Sequence, residues 1–344
     1  MIKQFFKFST FLLLTLFTFI ACDNSDDDEP LPKGDYEKGY FIANEGNFGS
    51  PNASVSFLSK DFNFSEASLF KKVNNTALGD VLQDIAFDED YAYLVLNNSN
   101  KIEVVNRYTF KSVATITENI SLPRYALVEN GKLYVSNSKT QSIGVYDTSD
   151  FSFVSTIDIG STVEQIEADN NYLYIQNAAF GTGNTITVVN LKDNSIVKTI
   201  TTGDKLNSID EENGILYALH GEGITKINTS TNESAGEIPF KEGLENASKI
   251  DVENNDIYFI GGSNIYKFNK DVTELTNTPL VDTKIEDKSW FIGYGFSVIN
   301  DKMFYTDVNG FTENSEVLIY DTDGKLIKTV SSEGIGANSV FEND

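Results

Sequence analysis

The chain of 344 residues has one cysteine, one histidine, one tryptophan and two methionines. A single Cys excludes an internal disulfide framework, and a single His beside it excludes a Cys/His zinc cage or a haem-attachment motif. Basic residues are scarce too: 26 Lys and Arg stand against 51 Asp and Glu, a formal net charge of −25. With no Lys/Arg run to interrupt that excess, the chain repels phosphate backbones, and no nucleic-acid partner is expected. Proline is rare at six, while 24 Gly suit many tight turns. What the chain does have is apolar residues at 40% and aromatics at 12%, enough for a real core and too many for a disordered tract.

The one long apolar run lies at the N-terminus. Lys3 and Lys7 precede a charge-free stretch of 14 residues, Phe8 to Ala21. That is too short to cross a bilayer and suits a signal-peptide core. It ends in Phe19-Ile20-Ala21-Cys22, which resembles the lipobox of bacterial lipoproteins, with Phe19 where Leu is usual. The resemblance implies that residues 1–21 are removed, that the Cys22 thiol carries a diacylglycerol, and that acyl chains alone hold the protein to a membrane. An ordinary signal peptide followed by a chance Cys is the alternative. Residues 22–37 then read as a solvated tether, since Asp23 to Glu29 holds five acids in seven residues and Pro30 and Pro32 follow. A Ser followed by acids behind a lipidated Cys resembles the surface-export signal of Bacteroidetes lipoproteins. It implies an outer-membrane location facing the cell exterior, with a periplasm-facing anchor as the alternative.

From residue 38 to 344 the apolar pattern alternates with the period of strands, and no amphipathic helix of three turns stands out. Stacking the chain on itself reveals a repeat. Its best copy is Leu133-Tyr134-Val135-Ser136-Asn137, then Ser142 to Asp147, then Phe153 to Ile157. One column of second-strand positions holds Phe41, Leu94, Tyr134, Tyr174, Tyr217, Tyr258 and Phe304, spaced 40 to 53 residues apart. A second column of third-strand ends holds Ser59, Asn106, Asp147, Asn190, Asn228, Asn269 and Asp321. Four short strands recurring at this period predict an all-β, seven-bladed β-propeller. The chain starts on the second strand of its first block and ends on an orphan first strand, Asn338 to Phe341. Pairing the two would complete seven four-stranded blades and close the ring.

The Tyr134-Val135-Ser136-Asn137 copy resembles the YVTN repeat of surface-layer-type propellers. The opening Phe41-Ile42-Ala43-Asn44-Glu45-Gly46-Asn47-Phe48-Gly49 is similar to lipoprotein propellers of that broad group, among them the cobalamin-capturing surface lipoproteins of Bacteroidetes. The resemblance implies capture of a small-molecule nutrient, cobalamin first, and its delivery to a TonB-dependent outer-membrane transporter.

In such a blade the loop from second to third strand opens on the face where each first strand starts, at the mouth of the central channel. From second-strand end to third-strand end is 15, 13 and 14 residues in blocks 1, 4 and 7, against 8 to 10 elsewhere. Each long connection carries a Phe beside Gly: Phe48, Phe180 and Phe311. Three aromatics around one mouth could clamp a large, partly apolar ligand, or each could plug its own loop. The first-strand starts add Gln83, Arg124, Tyr125, Gln165, Asn207, Lys249, Tyr294 and Asn338. The second-strand ends add Asn44, Asn97, Asn137, Asn177 and His220, and Trp290 lies in the longest connection between blades. Amides and hydroxyls suit a corrinoid rim or a glycan, although Asn at a strand end also caps turns. His220 reads as a hydrogen-bonding residue rather than a metal ligand.

No enzyme is expected, and no cofactor or metal. Gly-x-Ser-x-Gly and phosphate-loop motifs are absent, and one Trp opposes the quinone-cofactor propellers. Asp321-Thr322-Asp323-Gly324 reads as a hairpin turn rather than a calcium loop. A glycan- or protein-binding adhesion module and a lactonase-type hydrolase remain the competing readings.

Overall fold

The computed structural model describes residues 33–169, 171–283 and 292–344. Strands dominate, and the one α-helix among these residues is the six-residue Leu69–Asn74. The strands form seven antiparallel sheets in chain order, the blades of a closed propeller. The innermost strands of blades 2 to 7 are Leu82–Phe87, Pro123–Glu129, Ile166–Ala168, Ser208–Glu212, Ser248–Glu253 and Ile292–Ile299. In blade 1 that place is taken by the C-terminal strand Ala337–Asn343, which pairs antiparallel with Gly39–Asn44. The ring is thus closed by joining both ends of the propeller in one sheet, as the orphan strand predicts.

Both aligned columns acquire a physical meaning. The seven second-strand residues are all buried at the interfaces between blades. Each of seven apolar clusters joins two neighbouring blades. One joins Phe41 to Leu94, the next Tyr93 to Val135, and the last joins Phe304 of blade 7 to Tyr40 of blade 1. Second and third strands are consequently buried on both faces, and their sequences read as near-continuous apolar runs. The third-strand ends start the turn into the fourth strand: Asn106, Asp147, Asn190, Asn228, Asn269 and Asp321 each accept a backbone N–H two or three residues on. These are Asx turns, which explains why Asn and Asp recur there. Asp321 also accepts the Lys325 N–H, so its acid-rich loop is a hairpin.

The expectation of seven complete four-stranded blades needs one correction among the described residues. Blade 6 has three strands among the described residues, and the fourth strand of blade 1 is only Ser65–Glu66. In blade 6 the segment after Asn269 leaves its own sheet. Leu275 bonds instead to Pro239 and Lys241 at the outer edge of blade 5, and the chain returns at Leu280 and Val281, which pair with Ile265. Buried Leu275 joins the cluster between blades 5 and 6, a better site for its side chain than an exposed outer strand.

Candidate functional site

At one end of the channel the inner strands share a local defect. The pairing register slips between Leu82 and Asp84 in blade 2 and between Pro123 and Ala126 in blade 3. It slips again between Ser248 and Asp251 in blade 6, between Ile292 and Phe296 in blade 7, and between Ala337 and Ser339 in blade 1. A bulge frees residues from the ladder and re-aims their side chains. The freed residues include Gln83, Arg124, Tyr125, Lys249, Tyr294 and Asn338, and all six line one cavity of about 800 Å³. A second compartment of about 370 Å³ shares Arg124, Tyr125, Phe180, Lys249 and Tyr294 with it and extends to Gln165, Gln176 and Asn207.

The three loop phenylalanines meet at this cavity. Phe48 is 80% exposed and Phe180 93% exposed, so neither plugs its own loop. Phe311 is half-buried, edge-on to Tyr294 with ring centroids 5.1 Å apart. Its loop is tied to blade 1 because Asn47 Nδ2 donates to the Phe311 carbonyl at 2.9 Å. Gly336 makes room for the ring: its φ is +71°, and a Cβ there would lie 2.9 Å from Phe311. Blade 4 departs from expectation. Its extra residues do not form a loop but lengthen the hairpin, with Tyr172–Ala179 paired to Thr182–Asn190. Phe180 and Gly181 are the two turn residues, at φ +50° and +74°, the positive pair a tight hairpin demands.

The polar groups are cross-linked between blades. Arg124 Nε donates to Glu164 at 2.8 Å, and another guanidinium nitrogen donates to Gln83 Oε1 at 2.5 Å. Glu45 accepts from the Tyr294 hydroxyl at 2.8 Å and from Asn338 Nδ2 at 3.0 Å. Asn338 also donates to the carbonyls of Leu82 and Gln83, fastening the C-terminal strand to blade 2. Burial raises the pKa of Glu45 and Glu164 against these stabilising bonds, and raises Asp84 to about 6. The ammonium of Lys249 is pushed below its usual value by burial.

Deeper in the channel a second acid set follows from register. Glu167, Asp210 and Asp251 occupy equivalent inner-strand positions, opposite Tyr174, Tyr217 and Tyr258. Asp210 accepts the Val252 N–H and Asp251 the Val298 N–H, each from the next blade; Asp84 does the same for Ala126. Burial foremost raises all three of the set, Glu167 to about 8, Asp251 to about 7 and Asp210 well above its usual value. Among the described residues no three His, Cys, Asp or Glu side chains are arranged to hold a metal.

The other expected site residues divide between the mouth and places away from it. Asn44, Asn137 and Asn177 do not line the cavity; they are buried and staple the segment leading into their own blade's inner strand. Asn44 donates to the Ser332 carbonyl, Asn137 accepts the Ser121 N–H, and Asn177 donates to the Thr162 carbonyl. Asn97 borders the cavity while donating to the Pro123 carbonyl, and Gln165 receives the Ile209 N–H. His220 is 4% exposed and packed inside blade 5, with Thr225 Oγ1 at 3.1 Å and the Glu222 N–H at 3.2 Å. It lines neither compartment of the mouth. Trp290 and Cys22 lie outside the described residues. Gln176 emerges as a part of the mouth that its place in the repeat did not single out.

No curated protein matches the sequence. Among solved structures, BamB from Moraxella catarrhalis is 15% identical with a TM-score of 0.56, over 90% of this chain and 92% of that one. A quinonprotein alcohol dehydrogenase-like protein from Bacteroides thetaiotaomicron is 13% identical with a TM-score of 0.68, over 90% and 79%. Hydrazine synthase of Kuenenia stuttgartiensis is 14% identical with a TM-score of 0.55, over 75% and 88%. At such identities the likeness is one of fold. The family model described as "Domain of unknown function (DUF5074)" matches residues 38–337, the whole propeller but its last strand residues, and the chain belongs to that family.

Proposed function

We propose that the propeller is a non-catalytic capture domain, which takes a small organic nutrient into the mouth and passes it to a TonB-dependent outer-membrane transporter. The observation that carries this reading is the pair Phe48 and Phe180, almost wholly exposed on the rim of an 800 Å³ cavity. Leaving two such rings in water forfeits about 1.5–3 kcal/mol each, which a ligand lying against them recovers. The hydrogen bonds that lock Arg124, Glu45, Tyr294 and Asn338 make the mouth rigid before a ligand arrives, which lowers the entropic cost of binding. Cobalamin is the leading ligand: the volume suits part of a corrinoid, amides and hydroxyls suit its rim, and the Phe41–Gly49 segment supplies the resemblance. A lipid on Cys22 would hold the domain on the outer membrane, facing outward on its acidic tether.

Titration calorimetry of the mature chain with cobalamin and cobinamide tests the ligand, and binding heat with a raised melting temperature is the expected outcome. Neither heat nor thermal shift at tens of micromolar would reject cobalamin. Replacing Phe48, Phe180 and Phe311 by Ala should weaken binding at least about tenfold per ring that the ligand covers. Since Phe48 and Phe180 bury little, the melting temperature of a variant lacking only those two should hold; unchanged affinity in the triple variant would refute the rim clamp.

A further inference from the structure

One charged group at the mouth has no direct partner. Lys249 sits in the slipped stretch of blade 6 with its backbone at φ +57°, a left-handed conformation that costs an L-residue on the order of 1 kcal/mol. The side chain lines both compartments of the mouth. The other charged groups there are engaged: Glu164 with Arg124, Glu45 with Tyr294 and Asn338, Asp84 with the Ala126 N–H. Those carboxylates act on the Lys249 ammonium at a distance. Among the described residues none forms a hydrogen bond or ion pair with it. The hydroxyl of Tyr125, which lines the same two compartments, has no partner among them either.

An ammonium held in a partly dry pocket without a partner is costly, and a strained backbone that keeps it there adds to the cost. Both are explained if the missing partner arrives with the ligand. We propose that Lys249 and the Tyr125 hydroxyl form an oxyanion subsite that takes a carboxylate or phosphate group of the captured molecule. Two donors face this group, while Phe48 and Phe180 receive its apolar body. A neutral amide in the same place would accept the hydrogen bonds but form no ion pair with the ammonium. This inference rests on the capture reading and narrows the ligand to one bearing an oxyanion.

The test uses the mature chain and three aromatic probes of one shape class: benzoate, phenyl phosphate and neutral benzamide, with binding read by titration calorimetry or ligand-observed NMR. At least one anion should bind about tenfold more tightly than benzamide, and the tighter of the two tells carboxylate from phosphate. Lys249→Met keeps the length of the side chain and should reduce that anion to the affinity of benzamide, while Tyr125→Phe should weaken it by a smaller factor. The melting temperature of each variant checks that folding is intact. Benzamide binding as tightly as both anions overturns the proposal, as does a preference that survives Lys249→Met. So does the absence of binding by all three probes up to tens of millimolar. The cobalamin titration is read separately, so failure of the subsite and failure of cobalamin capture are told apart.

Discussion

Deletion of residues 338–344 should leave the chain without a cooperative fold. Those residues are most of the innermost strand of blade 1 and serve both of its neighbours. Val340, 3% exposed, belongs to the cluster shared with blade 7, and Phe341 packs on Phe87 of blade 2 with centroids 5.9 Å apart. Asn343, buried near the end of the chain, donates to the carbonyls of Tyr36 and Arg107 and accepts from Arg107 Nε. Removing the segment forfeits the burial of two apolar side chains at about 1.5–3 kcal/mol each. It also strips the Gly39–Asn44 ladder and orphans several buried polar groups at about 1–3 kcal/mol each. The total matches or exceeds the ~5–15 kcal/mol that stabilises a typical domain. Circular dichroism and a denaturant titration check this outcome, and a truncated chain that unfolds cooperatively near the midpoint of the intact one would refute ring closure as the keystone of stability.

Acid should stabilise this protein. Asp84, Asp251 and Glu167 have pKa values raised by burial to about 6, 7 and 8, above the ordinary carboxylate value near 4 that they regain on unfolding. The native state therefore binds protons more tightly than the unfolded chain in this window. Their contribution is fully present below about pH 4 and is lost as pH rises through 6 to 8. The melting temperature should rise by on the order of 5 °C between pH 8.5 and 5.5, since a few kcal/mol moves a domain of this size by several degrees. Relief of the general negative charge acts in the same direction, so the channel acids are identified by substitution. Asp251→Asn can still accept the Val298 N–H, and together with Glu167→Gln it should raise the melting temperature at pH 8.5 and flatten the profile. A double variant with an unchanged slope would show that these groups do not drive it.

How far the sequence reaches differs between fold and site. The blade columns were legible because each reports a single physical demand. A buried residue between two sheets must be apolar, and an Asx turn needs Asn or Asp at one fixed place. Blade 6 escaped that logic, since Leu275 finds a better burial site against blade 5 and nothing local announces it. At the mouth, loop length and a Phe beside Gly sufficed to bring Phe48, Phe180 and Phe311 together. The Asn column stayed ambiguous because an amide serves a backbone carbonyl or a ligand equally well. Which of these Asn44, Asn137 and Asn177 meet depends on connecting segments far along the chain. Lys249 shows the opposite limit: its position was plain, but its lack of a partner belongs to the folded state alone.

The slipped starts of the inner strands bear on how such proteins can diversify. Side chains at Gln83, Tyr125, Lys249 and Tyr294 stand outside the regular ladder, so exchanging them disturbs neither sheet pairing nor the apolar seams. Selectivity can then drift by single substitutions while the scaffold stays constant, and a randomised library confined to these four positions should yield mostly folded proteins with differing tastes.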